Sequence, residues 1–319
     1  MSFAGSGSPT TARVRRRVSL VTGGTEGIGR AVAVELARRG ERVLFVGRNE
    51  ERGAQVLGAL HAIAPCVRHQ FLRADLSLLD ETARVAEQVA LATDRLDAAV
   101  FCAGVLSTVP RWTLEGLERN FVLNYLSRYL LARRLMPLLA QAPSGRLVLV
   151  ANAGIYKDTL DFDDLQYRCG RPGLNVSGRT QFANDLFVTE LADRVRGSRV
   201  EVFGVFPGLS ATSVFRNAEG LPWLARTLAP GWLSLFAQPA HAAAQTPVHL
   251  ARDARLAGMG GRFFGPGMRE RPVPARAQRL DRRNALWLAS QSLVCDYLLP
   301  VHALPDDWTV ESATNAVSA

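Results

Sequence analysis

The run Thr22-Gly23-Gly24-Thr25-Glu26-Gly27-Ile28-Gly29 stands between an apolar stretch, Val18-Ser-Leu-Val-Thr22, and a segment that continues Arg30-Ala-Val-Ala-Val-Glu-Leu36 with helical periodicity. A strand that passes through a glycine-rich loop directly into a helix leaves few folds open. Gly23, Gly27 and Gly29 allow a tight turn and a close backbone approach to a diphosphate, whose charge would rest at the helix N-terminus. Thr25 and Ile28 complete that loop. A glycine motif alone is weak; its place after a strand and at the start of a helix gives it weight.

Downstream, short runs rich in Val, Leu and Phe alternate with amphipathic segments. Strands are expected at 18–23, 42–47, 67–72, 96–102, 146–151, 200–206 and 262–265, and helices near 27–39, 50–62, 79–92, 114–140, 174–195 and 239–252. Apolar runs without alternation suit strands covered on both sides, so the chain reads as α/β, a Rossmann-type, doubly wound parallel sheet with helices on both faces. Residues 1–16 are small and polar, then basic, and are expected to form a disordered leader. Residues 17–299 read as one domain and 300–319 as a loose tail. The stretch 213–237 breaks the rhythm with Trp223, Trp232, Leu235 and Phe236 among prolines. It is expected to act as a substrate lid over an apolar pocket, a membrane-surface helix being the alternative.

Composition narrows the function classes. The formal net charge is +9, which invites a nucleic-acid reading, but the basic residues are dispersed apart from Arg15, Arg16 and Arg17. No basic stripe interleaves with aromatics, so a nucleic-acid partner is not expected. The four cysteines, Cys66, Cys102, Cys169 and Cys295, are scattered, which fits a reducing cytoplasm and argues against disulfides or a zinc site. No apolar run approaches the roughly 20 residues of a membrane span. A cytoplasmic location without a membrane span is the expectation.

The second strand ends Phe45-Val46-Gly47-Arg48. An acid at that position would bond the ribose hydroxyls of NAD, whereas an arginine pairs with the 2′-phosphate of NADP. Arg48 therefore points to NADP; the alternative is a solvated surface arginine. Glu26, inside the glycine loop, works against phosphate binding.

Taken together these motifs resemble the short-chain dehydrogenase/reductase family, over about residues 17 to 295. Thr22-Gly23 through Gly29 matches its glycine loop, and Asp75-Leu76 resembles its adenine-side acid. Phe101-Cys102-Ala103-Gly104 falls where the family has Asn-Asn-Ala-Gly, and Asn124 where it has a helix asparagine. Pro207-Gly208 with Thr212 resembles the turn and threonine on the nicotinamide side. The segments 160–165, 244–247 and 261–265 resemble the retinol-dehydrogenase-like subgroup. The resemblance implies a nicotinamide cofactor and allows for a homo-oligomer.

The family's chemistry uses a Tyr as proton donor or acceptor, a Lys that lowers its pKa and holds the ribose, and a Ser that orients the substrate oxygen. Alignment on the surrounding strand and helix puts Asn152 at the Ser position, Ser177 at the Tyr position and Gln181 at the Lys position. One departure holds whatever the alignment. The single lysine is Lys157, with Ala153 four residues before it, so no Tyr-x-x-x-Lys occurs in the chain. Asn124, Asn152, Ser177 and Gln181 can still hydrogen-bond a substrate carbonyl without delivering a proton. Tyr156, beside Lys157 in the loop bordering the pocket, is a candidate acid from a new position.

Three functions remain open from sequence. One is an NADP-dependent oxidoreductase of a bulky apolar carbonyl or alcohol with a rearranged proton path. Another is a non-redox cyclase or isomerase of a biosynthetic pathway on the same scaffold. The third is a catalytically silent nucleotide-binding protein. A small apolar substrate is the expected partner of the first two.

Overall fold

A computed structural model of the chain describes residues 15–151, 154–208, 220 and 238–298. Residues 1–14 of the leader, the bulk of the 213–237 segment and the tail lie outside the described residues. Within them the order is β1 (Val18–Thr22), α1 (Gly27–Arg38), β2 (Arg42–Gly47), α2 (Glu50–Ile63), β3 (Gln70–Arg73), α3 (Leu79–Ala92) and β4 (Ala98–Phe101). Next come α4 (Arg119–Phe121), a π-helical turn (Val122–Leu126), α5 (Ser127–Ala140), β5 (Gly145–Val150), α6 (Asn175–Arg194) and β6 (Val200–Val205). The last elements are α7 (Ala240–Ala243), α8 (Gln245–Arg252), β7 (Phe263–Phe264), β8 (Glu270–Arg271) and α9 (Leu280–Leu298).

The strands form one sheet in the order β3-β2-β1-β4-β5-β6-β7-β8, parallel except for β8, which runs against β7. Successive residues of a strand face opposite sides. Leu20, Leu44 and Leu147 enter a core with α3, α5, α6 and α9, while Val21, Phe45 and Val148 enter a second core with α1, α2 and α8. Both faces are buried, which explains the unbroken apolar strands of the sequence. The sequence-based expectation of a doubly wound α/β sheet is met.

Among the differences from expectation, three stand out. The helix expected from 114 begins at Arg119, because Gly116 turns at φ 75° and the Glu118 carboxylate caps the Asn120 and Phe121 amides. The third strand starts at Gln70 rather than 67. Helix α9, 19 residues long, was not anticipated at all. It is fixed by Trp287, whose ring packs against Tyr129 and Phe187 and lies under the Arg133 and Arg194 guanidiniums. Strand order reverses between β1 and β4, so a crevice opens outside the carboxyl ends of these strands, where such sheets bind ligands.

Candidate cofactor cleft and active site

The glycine loop leaves β1 and enters α1 with no room for side chains. Gly23 and Gly27 have φ of 66° and 55°, a region that favours glycine. A Cβ on Gly29 would come within 2.3 Å of the Gly23 carbonyl oxygen, and one on Gly23 within 2.9 Å of Ala103 Cα. Thr25 lies over Gly47, where an added Cβ would meet it at 2.4 Å. The N-cap of α1, Glu26, makes no side-chain capping bond, and no acid stands in the first turn. Its carboxylate instead takes a 2.8 Å hydrogen bond from Arg52. The first amides of α1, including Ile28, are left open to an outside anion, as a phosphate-binding helix start requires.

Arg48, just past β2, is exposed and lies 3.7 Å from Asp75, which follows β3. Asp75 also accepts hydrogen bonds from the amide and hydroxyl of Ser77, and Leu76 beside it is buried. Arg48 and Arg52 thus flank the β2–β3 end of the crevice, with Glu26 neutralised by the second of them.

On the other side of the switch point, Thr22 Oγ1 accepts from the amides of Cys102 and Ala103 and ties the end of β4 to β1. Asn124, in the π-helical turn, bonds Val105 through both its side-chain atoms, accepting at 2.8 Å and donating at 3.0 Å. One turn on, Arg128 is buried and donates to the Ala103 carbonyl at 2.7 Å and to Asn184 Oδ1 at 3.2 Å. Asn184 returns two bonds, to the carbonyls of Asn124 and Thr180. Burial lowers the Arg128 pKa to about 10 and pushes the Cys102 thiol up to about 12, and Cys102 packs against the core that holds α1.

Helix α6 carries the positions expected to matter most. Ser177 is buried, and its hydroxyl proton is committed: the oxygen accepts from the Ser107 amide at 2.7 Å and donates to the Ser107 carbonyl at 2.8 Å. Gln181 follows one turn later, half-buried. Between them Arg179 turns away to a buried 2.6 Å ion pair with Glu118 and lies over Phe121 and Tyr167. Tyr156, from the connection between β5 and α6, lays its ring on Gly178; a Cβ there would come within 2.9 Å of it. Lys157 is exposed. Asn152 and Thr212 lie outside the described residues. Pro207 is buried after β6, and Gly208 turns the chain with φ 80°.

One residue of this region was not singled out by sequence. Asp185, one turn past Gln181, is 1% exposed and accepts the Gly154 amide at 2.9 Å with Oδ2. Among the described residues its Oδ1 has no hydrogen-bond partner. Burial raises its pKa to about 7, against the opposing pulls of the Gly154 amide and of Arg271 on β8. Among the described residues, no group of three or more His, Cys, Asp or Glu side chains could hold a metal, and no helix is long and apolar enough to cross a membrane.

The model of the short chain dehydrogenase family matches residues 17–164. Retinol dehydrogenase 13 of Mus musculus is 30% identical over 297 residues, covering 91% of this chain and 87% of that protein. Polyprenol dehydrogenase of Mus musculus is 34% identical over 280 residues, covering 85% and 82%. The chain belongs to the short-chain dehydrogenase/reductase family. A short chain dehydrogenase of Escherichia coli CFT073, solved in complex with NADPH, shares the fold with a TM-score of 0.61 at 23% identity, covering 78% of this chain and 95% of that one.

This short-chain dehydrogenase/reductase carries a glycine loop at Gly23–Gly29 and has no Tyr-x-x-x-Lys. The hydroxyl on the first of the two α6 turns belongs to a serine already committed to Ser107, and the next turn presents a neutral amide. The β4 end is held by a buried guanidinium, and the β5 end by a buried carboxyl.

Proposed function

We propose that this chain is an NADP(H)-dependent oxidoreductase acting on a bulky apolar carbonyl or alcohol, with its proton path moved off α6. The observation that carries this is the uncapped start of α1, walled by Gly23 and Gly29 and flanked by Arg48 and Arg52. The loop's geometry fits a diphosphate, and two guanidiniums suit a 2′-phosphate. Relatives named as retinol and polyprenol dehydrogenases support an apolar alcohol or carbonyl as substrate. Bound NADPH supplies a hydride to a carbonyl carbon, and the reverse reaction returns it to NADP.

The chain must then provide a proton to the carbonyl oxygen. Ser177 is a poor source, because its proton is held by the Ser107 carbonyl. Gln181 has no charge with which to acidify a neighbour. Tyr156 lies against α6 at the Ser177 turn, and Tyr167 donates to the Arg171 carbonyl. The phenol of Tyr156 is therefore the proton donor in this reading, and Gln181 a hydrogen-bonding partner of the ribose.

Two experiments test the reading. NADPH and NADH are titrated into wild type, Arg48→Ala and Arg52→Ala; each variant is expected to lose about tenfold in preference for NADPH, roughly 1.4 kcal/mol. An unchanged preference in both would remove the 2′-phosphate site. Turnover is then followed with a panel of hydrophobic ketones, aldehydes and alcohols. Ser177→Ala is expected to keep activity within about a hundredfold of wild type, below the upper range for losing a general acid. Tight cofactor binding with no redox turnover across the panel would instead favour the silent or non-redox alternatives.

A further inference from the structure

We infer that Arg128 is a positioning residue that places a fixed positive charge behind the cofactor cleft, one peptide unit from the glycine loop, and so replaces the lost lysine as the local cation. The inference rests on the reading that this cleft takes NADP(H). Four observations support it.

Arg128 is 4% exposed, and its hydrogen-bond partners among the described residues include no carboxylate. Its bonds go to a carbonyl and an amide oxygen, and its Nε has no hydrogen-bond partner among the described residues. A buried cation without a counter-anion is costly, so the arrangement is matched to an anion that arrives from outside. The second observation is location. Arg128 holds the Ala103 carbonyl, and Ala103 is the residue that Gly23 touches most closely, at 2.9 Å from a built Cβ. The charge therefore stands directly behind the wall against which the loop presses.

The third observation is the free donor. In a planar trans peptide the carbonyl and the following amide point in opposite directions. With the Ala103 oxygen turned inward to Arg128, the Gly104 amide turns outward. That amide has no hydrogen-bond partner among the described residues, and Gly104 is exposed. A bond from a guanidinium to the carbonyl polarises the same peptide and strengthens its N–H as a donor. The fourth is rigidity. Asn184 fixes the guanidinium, and Asn124 holds Val105 on the far side of Gly104. A Cβ at Gly104 would sit 3.2 Å from Asn124 Oδ1 and 3.6 Å from Arg128 Nη2, so the peptide is held from behind. The acceptors that fit this outward donor are the diphosphate and the adjoining ribose on the nicotinamide side of the cofactor.

The test compares NADPH with 2′,5′-ADP, which carries the adenine-side phosphates but lacks the nicotinamide half. Both are titrated calorimetrically into wild type, Arg128→Met and Arg128→Lys. Arg128→Met is expected to weaken NADPH by tenfold or more and 2′,5′-ADP by less than threefold, with Arg128→Lys retaining NADPH affinity between the two. Equal losses for both ligands would mean that Arg128 only supports the fold, and an undiminished NADPH affinity in Arg128→Met would remove its charge from binding; either result overturns the inference. Should Arg128→Met fail to fold, the same comparison in Arg128→Gln decides by the same criteria. A wild type that binds 2′,5′-ADP as tightly as NADPH refutes the nicotinamide-side charge and leaves the cofactor reading standing. A wild type that binds neither overturns both.

Discussion

Replacing Tyr156 by Phe is expected to lower reduction of a hydrophobic carbonyl by about 10²–10⁴-fold, the usual consequence of losing a positioned general acid. NADPH affinity should hardly change. The expectation follows from how α6 is occupied. Ser177 donates its only proton to the Ser107 carbonyl and accepts from the Ser107 amide, so its hydroxyl ties the helix to the loop after β4. Gly178, the next residue, is the space into which the Tyr156 ring fits. Phe keeps that packing and removes the hydroxyl alone. Steady-state kinetics with NADPH, alongside a direct cofactor titration, separates the two effects. A Tyr156→Phe enzyme with rates close to wild type would return the proton question to Ser177 or to groups outside the described residues.

A large effect on stability is expected at Asp185. Its carboxyl is held near pKa 7 in the fold by burial, whereas the unfolded chain has the ordinary carboxylate value near 4. A raised folded-state pKa means that the native protein binds the extra proton more strongly. The stability it contributes is present at low pH and is lost as pH rises from about 4 through about 7. Over pH 5 to 8 this amounts to about 3 kcal/mol, two pKa units at about 1.4 kcal/mol each. The groups facing the carboxyl are the Gly154 amide and Arg271, and both oppose the rise without cancelling it. Asp185→Asn can still accept the Gly154 amide but carries no titrating proton. Urea unfolding at pH 5 and pH 8 should therefore show a decline in the wild type that is smaller by about this amount in the variant. Equal slopes in the two proteins would show that Asp185 is ionised in the fold throughout.

Much of this architecture was legible because the sheet is buried on both faces. Strands β1, β2, β5 and β6 came within a residue or so of their true bounds, since unbroken apolar runs between glycines leave little choice. Helix α9 was illegible for the opposite reason. Its buried residues include the charged Arg283 beside Leu286, Trp287, Ser290, Val294 and Leu298, with Arg282 and Asp296 on the same helix, and no strong apolar face stands out. What makes it a helix here is the cavity that Tyr129, Phe187 and Arg194 leave for Trp287.

The cleft shows the same division. Gly23, Gly27 and Gly29 are recognisable because the turns and close backbone approaches of the loop demand glycine, and Arg48 because the proposed 2′-phosphate contact calls for a cation at the end of β2. Arg52, Arg128 and Asp185 are not, because their roles arise from partners distant in the chain: Glu26, Ala103 and Gly154. Each nevertheless stands four positions beyond a residue already singled out, namely Arg48, Asn124 and Gln181. That spacing, one helical turn for the last two, was the available signal. Glu26 had counted against phosphate binding, and its pairing with Arg52 removes the objection.

The exposed Lys157 has a practical consequence. Because every other basic side chain of the Lys/Arg class is an arginine, this residue carries the only side-chain amine in the protein. A lysine-specific protease has one site, on the connection between β5 and α6, and cleavage there would divide the chain into two pieces of nearly equal length. An amine-reactive dye applied where the terminal amine is blocked would land next to Tyr156 without any mutation. Its emission, or the rate at which the protease cuts, would then report directly on whether cofactor or substrate has reached that side of the cleft.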